Sequence, residues 1–397
     1  LHAIEEQQGT QRDAGDSIGT SETLAPVGMI FFSFIRVKHS IVWLTDFYFR
    51  LRNWETWHWL AKYIPLAPAW LLFCVRARSL WFFTPSNPTL TFGGFDGESK
   101  KEMYDQLPPG SFPKTIYIKH AQSFDEVLIQ FEINRFTFPV AVKPDVGRMG
   151  FLFRKVNSPE EMRLYHSKMP VDYLLQEFVH YPIEVSVFYY RFPNEKKGAI
   201  TGFVRKDYLE VTGNGTSTLR ELIENYPRVR FRKQEMFCKH ADQLKNVVPK
   251  GEVYYLSHAL NLSRGGKLVS LDHEKDDRLL QLFDDLSFYA KHFYYGRYDI
   301  KCSSIEALKE GKEFTILEYN GSGAEPHHVY GNGKTFFEAI KILFEHWNIL
   351  FQISRHNHLN GFPYWSFTRG YRQLREAGKH ISLLKKLDND PGMLRPM

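Results

Sequence analysis

The chain has 397 residues, of which 43% are hydrophobic, 16% aromatic and 24% charged, with a formal net charge of +6. This composition excludes a disordered or collagen-like chain and is ample for a buried core, and the length suggests two or three domains. Cys74, Cys238 and Cys302 are far apart, which excludes a disulfide framework and any cysteine metal motif; a reduced, cytosol-facing compartment is expected, and no DNA or RNA module is present.

Residues 1–27 are polar, rich in Gly, Ser, Thr and Gln, and read as a disordered leader. Residues 28–83 differ in kind. Six of the eight tryptophans lie there (Trp43, Trp54, Trp57, Trp59, Trp70 and Trp81), and seven basic residues face two acidic ones between 29 and 82. The longest clean apolar run, Tyr63 to Val75, contains Pro65 and Pro68 and is shorter than the roughly 20 residues of a spanning helix. Tryptophan and tyrosine prefer the headgroup level, and lysine and arginine favour anionic lipid. The segment therefore reads as two or three amphipathic helices lying in one leaflet. A tryptophan-rich packing layer or a homodimer interface is the plain alternative.

Residues 84–137 carry turn signals, then a strand at Lys114–Ile118 and a helix over 122–135 that Ser123 and Glu126 cap as a box. From 138 to 345 strands and helices alternate. Phe138–Lys143 and Phe151–Val156 form a hairpin around a glycine-bearing loop, Ser158-Pro159 starts a helix, and Tyr173–Glu177 and Ile183–Arg191 are strands. Residues 346–397 form a helical tail, basic and amphipathic over 364–387, and no internal repeat is visible.

Four pieces carry chemistry. Lys143 ends an apolar strand just before the loop Asp145–Gly150, where an ammonium and backbone N–H groups can hold phosphate; the order is not that of a Walker loop. A hairpin with a surface lysine is the bland alternative. Strand-edge Glu177 can present backbone to a flat nitrogenous ring, and Glu184 can accept from ribose hydroxyls. In Gly296-Arg-Tyr-Asp-Ile-Lys301 and Glu313-Phe-Thr-Ile-Leu-Glu-Tyr-Asn320, residues two apart share a strand face. Glu318 and Asn320 then project together, with Asp299 as a third oxygen donor, a set suited to Mg²⁺. Solvated polar residues at strand ends are the competing reading. No Ser-His-Asp or Cys-His arrangement is present.

Taken in order, these pieces resemble the ATP-grasp superfamily of carboxylate–amine ligases. Two further stretches sharpen the likeness. Glu210-Val-Thr-Gly-Asn-Gly-Thr-Ser-Thr-Leu-Arg-Glu-Leu-Ile223 is similar to a segment of cyanophycin-synthetase-like members, and so is Leu260-Asn-Leu-Ser-Arg-Gly-Gly266. The resemblance implies an α+β fold in which two subdomains clamp ATP between antiparallel sheets. It implies that Lys143 holds the α- and β-phosphates, Gly147 and Gly150 close over the γ-phosphate, Glu177, Phe178 and Val179 line the adenine site, and Glu184 meets ribose. Asp299, Glu318 and Asn320 would hold Mg²⁺, and Arg297 would stabilise the transferred phosphoryl group. An upstream lysine is expected at Lys100 or Lys101, with Lys101 as the working assignment. The implied reaction joins a carboxylate and an amine through an acylphosphate; a phosphotransferase or a non-catalytic nucleotide-binding scaffold are the alternatives.

The sequence departs from the family pattern in a shortened first domain, in Asn214 where aspartate is common, and in Gly321-Ser-Gly-Ala-Glu-Pro-His-His328 after the metal strand. Glu325, His327 and His328 are placed to face the acceptor, and Arg205 and Lys206 to bind a substrate anion. With the aromatic segment, the expectation is an enzyme peripheral to the membrane on its cytoplasmic side, one of whose small-molecule substrates is lipid-like.

Overall fold

A computed structural model describes residues 45–49, 51–257, 266–390 and 392–394. The leader, Trp43, and the Leu260–Gly266 segment apart from Gly266 lie outside the described residues. The chain divides into two units at 58/59, rather than at the 83/84 boundary drawn from composition. In the first unit, residues 45–49 and 51–52 are helical, and a 3-10 turn at Trp54–Thr56 buries Trp54.

The second unit begins with α1 (Trp59–Tyr63), a 3-10 turn through Pro65, and α2 (Ala67–Ala77). Next come α3 (Lys100–Tyr104), β1 (Thr115–Ile118), α4 (Phe124–Ile133), β2 (Val140–Pro144), β3 (Arg154–Val156), α5 (Pro159–Lys168) and β4 (Tyr173–Glu177). Strands β5 (Ile183–Tyr190), β6 (Ala199–Asp207) and β7 (Leu209–Thr212) lead to α6 (Leu219–Asn225), α7 (Lys233–Lys239), β8 (Val253–Ser257) and β9 (Lys267–Ser270). The chain continues with α8 (Asp277–Ala290), β10 (Tyr295–Cys302), α9 (Ile305–Lys309), β11 (Phe314–Asn320), α10 (Phe336–Leu359) and α11 (Phe367–Asp388).

The α+β expectation holds. One antiparallel sheet has the order β1-β4-β2-β3, a second β11-β10-β5-β6-β9, and β7 pairs with β8 in a small third. The caps expected from sequence are made: Ser123 and Glu126 close a capping box on α4, and Ser158 caps α5 with Pro159 at its first position.

Each sheet buries one face. Under the four-stranded sheet, Ile116 and Ile118 of β1 and Val127 of α4 pack with Val140, Val142, Tyr173 and Leu175. The 137/138 boundary therefore cuts through one core, and 345/346 falls inside α10. The five-stranded sheet turns Val185, Val187, Phe203, Tyr298, Ile300 and Ile316 onto Leu279, Phe283 and Leu286 of α8. Period-2 alternation then forces the intervening residues of β5 and β10 onto the opposite face, and a bulge in the β10–β11 pairing brings Glu318 of β11 to that same face, which carries the polar cluster described next.

Candidate active site

The five-stranded sheet assembles its polar face by register. Asp299 pairs with Glu318 on one side and Ser186 on the other; Arg297 pairs with Asn320; Lys301 pairs with Glu184, which pairs with Lys206. A bulge between Asp299 and Ile300 leaves Leu317 without a partner in this ladder. Its carbonyl is thereby released and accepts from Tyr104 Oη at 2.6 Å and from Lys143 Nζ at 3.2 Å. Lys143 stands on β2, in the other sheet. Its amine also reaches Tyr104 Oη at 3.1 Å, so it bridges the two sheets beside Glu318.

Burial pulls Lys143 from 10.5 down to about 8, against the opposing pull of Glu318, Asp145 and Glu184. A half-buried cation with only neutral hydrogen-bond acceptors is poised for an anion. Lys100 joins it, 3.5 Å from Glu318 Oε1 and donating to Gly147 O at 2.9 Å. Lys101, the working assignment, turns away. It is half-exposed, pairs with Asp105 and lies over the Tyr117 ring. The helix places adjacent side chains about 100° apart, so only one of the two lysines faces the cleft.

Asp299 is the hub of a buried ion network. Arg297 grips it through Nε to Oδ1 and Nη2 to Oδ2, both at 3.1 Å; Lys206 Nζ lies 3.2 Å from Oδ1; Ser186 Oγ donates to the same oxygen. Burial raises its carboxyl, but Arg297 and Lys206 outweigh burial and hold it well below the usual range. Lys206 also donates to Glu184 Oε1 at 3.0 Å, so the expected ribose acceptor is committed to a cation. Arg205, read with Lys206 as an anion-binding pair, faces elsewhere and pairs with Asp207.

The linker between the sheets meets the same face. Lys301 Nζ lies 3.5 Å from Val179 O and 3.4 Å from Tyr181 O. Phe178 has the Lys155 ammonium 4.8 Å from its ring centre. Glu177 instead seals the strand edge, with Oε1 accepting from Lys114 N at 2.9 Å.

The glycine loop is clasped by the last helix. Val146 O lies 2.8 Å from His380 Nε2, Leu152 N donates to Asp388 Oδ1 at 2.9 Å, and fully buried Arg154 pairs with Asp388 at 2.9 Å. A Cβ on Gly147 would sit 3.2 Å from Leu384. Gly150 has φ +67°, and the left-handed backbone at Met149 and Leu152 is held by this clasp.

Several contributors carry no sequence motif. Buried Asn87 donates to Gly93 O and Tyr295 O and accepts from Tyr294 N at 2.9 Å, which fastens the 87–95 turn to β10. That turn receives the exit of β11 through Ser322 N to Gly93 O and Gly323 N to Gly94 O, both at 3.0 Å. Beyond it, Glu325 O accepts from Arg297 Nη1 at 2.8 Å, while Glu325 Oε1 accepts from Tyr330 Oη and, at 3.1 Å, from Tyr63 Oη of α1. His327 Nδ1 lies 3.2 Å from Ser186 Oγ, and burial and Arg297 hold its ring neutral. Glu98 is the other omission. Burial chiefly, and then Glu318, push it up to about 7, and one buried oxygen lacks a hydrogen-bond partner.

These donors fit a hard cation with phosphate. Glu318 is one-third exposed, Asn320 turns its amide nitrogen to Asp299 at 3.5 Å and so leaves its oxygen available, and the orphaned Glu98 oxygen is an atom that a cation would satisfy. Asp299 enters such a set only by exchanging an Arg297 or Lys206 contact, because its lone pairs are already engaged.

No protein-family model matches the chain, and neither does any curated protein. Among solved structures it is similar to a bifunctional glutathione synthetase from Pasteurella multocida (14% identity, TM-score 0.38, 62% of this chain and 35% of that one). It is also similar to D-alanine–D-alanine ligases from Bacillus anthracis (13%, 0.38, 66% and 69%) and Coxiella burnetii (10%, 0.37, 71% and 61%). The chain thus spans about a third of the length of that synthetase. These overlaps are loose. The chain's own geometry is α+β: two antiparallel sheets joined by a linker, with Lys143 of one meeting the acidic row of the other.

Proposed function

We propose that this protein is an ATP- and Mg²⁺-dependent ligase that joins a carboxylate to an amine through an acylphosphate, working at a membrane surface. The observation that supports this reading is the contact of Lys143 with the Leu317 carbonyl, which puts this lysine beside Glu318 and the Asp299 network in one cleft.

In this reading Lys143 and Lys100 hold the nucleotide phosphates, and the 145–153 loop closes on them with its backbone N–H groups. Glu318 and Asn320 hold the magnesium, which supplies charge neutralisation on the phosphates. Arg297, aligned by Asp299 and the Glu325 carbonyl, balances charge on the transferred phosphoryl group. The carboxylate substrate attacks the γ-phosphorus and ADP leaves; the amine then attacks the acyl carbon and phosphate leaves. Neither step requires a protein nucleophile, so positioning and charge carry the rate.

The membrane part rests on α1–α2. Leu60–Ala77 is long and apolar enough to cross a membrane by length and composition, with mean hydropathy 1.3. Its inner face is committed to protein, however. Leu66, Phe73 and Cys74 are buried, and the Trp70 ring lies 4.7 Å from Phe82 and 4.8 Å from Trp347. Its outer face exposes Leu60, Ile64, Leu71, Leu72 and Val75, between 47% and 73%. One apolar face toward protein and one toward solvent suits a helix lying on a bilayer.

The test is ADP release by the full chain with candidate carboxylates and amines, with hydroxylamine added to trap the acylphosphate as a hydroxamate. Without hydroxylamine, release is expected only with both substrates; with it, the carboxylate alone should suffice and yield the hydroxamate, and both releases are expected to vanish in Glu318→Gln. Undiminished release in that variant overturns the metal assignment, and a stable phosphate ester without amide identifies a kinase.

A further inference from the structure

A cavity of about 360 Å³ lies between α2 and α10, lined by Arg76, Asn348, Phe351, Gln352, Arg355 and His356 among others. None of its lining residues belongs to the nucleotide cleft. We propose that it binds the phosphate-monoester headgroup of an anionic lipid; this rests on the membrane-surface half of the function proposed above.

Two guanidinium groups, Arg76 and Arg355, open onto this one cavity, and among the described residues neither forms an ion pair with a carboxylate. Two like charges sharing a concave site raise its potential and favour an anion. Their planar forks match phosphate oxygens two at a time, a geometry that ammonium groups lack. Arg76 is steadied by the Phe351 ring, 5.3 Å from its Cζ, and the Asn348 and Gln352 carboxamides add donors for ester oxygens. The volume is roughly that of a dozen water molecules, enough for a glycerophosphate head.

The surroundings select a lipid over a free phosphate. Arg76 follows Leu72 by four positions and Val75 by one, so it borders the exposed apolar stripe of α2. At the cavity rim Leu359 is 68% exposed. On α10, exposed Phe344 stands 6.4 Å from Phe73 of α2, and Phe337, seven residues earlier, is 82% exposed. Acyl chains leaving the cavity therefore meet apolar surface, while the phosphate meets arginine.

The experiment floats the full chain with phosphatidylcholine vesicles containing either phosphatidate or phosphatidylserine, matched in zeta potential. Binding to phosphatidate is expected to be the tighter, and Arg76→Gln with Arg355→Gln to weaken it about tenfold, to the phosphatidylserine level, as loss of charge-assisted hydrogen bonds implies. The equal-charge control, Lys341→Gln with Arg78→Gln, lies outside the cavity and should lower both bindings alike. Leu72→Glu should weaken binding to every vesicle. Equal binding of the two lipids by wild type, or an arginine variant that loses no more than the control, overturns the headgroup site. Saturable binding of glycerol 3-phosphate by a protein that ignores all vesicles assigns the cavity to a soluble phosphate and overturns the lipid source. Wild type that binds neither vesicles nor glycerol 3-phosphate overturns the membrane reading and this site together; ADP release, assayed separately, tells that failure from a failure of the ligase.

Discussion

Replacing Lys143 with methionine should make the nucleotide-free protein more stable while abolishing its activity. Burial moves this lysine from 10.5 to about 8. Holding it charged at pH 7 therefore costs about 3 kcal/mol, at 1.36 kcal/mol for each unit of displacement. Methionine removes that cost but also the hydrogen bonds to Tyr104 and Leu317, about 1 kcal/mol each, leaving a net gain of about 1–2 kcal/mol. The sign against pH is defined. Between about 8 and 10.5 the unfolded chain holds the proton and the folded chain does not, so wild-type stability rises with pH there. The advantage of Lys143→Met should be full below pH 8 and shrink through that window. Urea unfolding of both proteins without nucleotide at pH 7, 8, 9 and 10 measures it, and Mg-ATP should raise the midpoint of wild type alone. A variant no more stable than wild type at pH 7, or a gain that persists unchanged at pH 10, refutes the reasoning.

The same lysine should make kcat/KM for ATP fall above about pH 8, with Lys143→Arg moving the limb upward if it retains turnover. Asp299→Asn strands Arg297 without a carboxylate in a buried site, while Lys206 keeps Glu184, and should cost about 3 kcal/mol in urea unfolding at pH 7. Because Asp299 is held below its unfolded value, that loss should shrink as pH falls below about 4, where the unfolded carboxyl takes its proton first. Gly296→Ala would place a Cβ 2.4 Å from the Asn320 carbonyl, so β10 and β11 must part; a loss of about 1–3 kcal/mol or more is expected, with ADP formation lost too. Gly378→Ala, in α11 with nothing within 4 Å, should instead gain up to about 1 kcal/mol, and a loss there would contradict the open surroundings.

The convergence of Lys143, Asp299, Glu318 and Asn320 on one cleft was legible because each lies in a strand, where a two-residue period fixes the face. The partners of Asp299 were not. Lys206 and Ser186 reach it through β5–β6 and β5–β10 register, and the β5–β10 register depends on pairing across more than a hundred residues rather than on local pattern. Asn87 was unreadable for a related reason, since a single buried asparagine in a turn announces no partner. The choice between Lys100 and Lys101 failed on helix phase, because α3 is only five residues long and offers no periodicity to read. The aromatic stretch was legible as amphipathic, but the packing of Trp70 and Phe73 against α10 was not, because tryptophan marks a protein interior as readily as a headgroup layer.

The clasp on the glycine loop joins Leu152 to Asp388 across 236 positions of chain. A ribosome must therefore have passed residue 388 before the loop can be fixed, although both sheets are encoded by then. Nascent protein lacking the last helix should have its sheets in place yet leave the nucleotide ungripped. Competence to turn over ATP would thus mature late in synthesis, after the scaffold that surrounds the cleft.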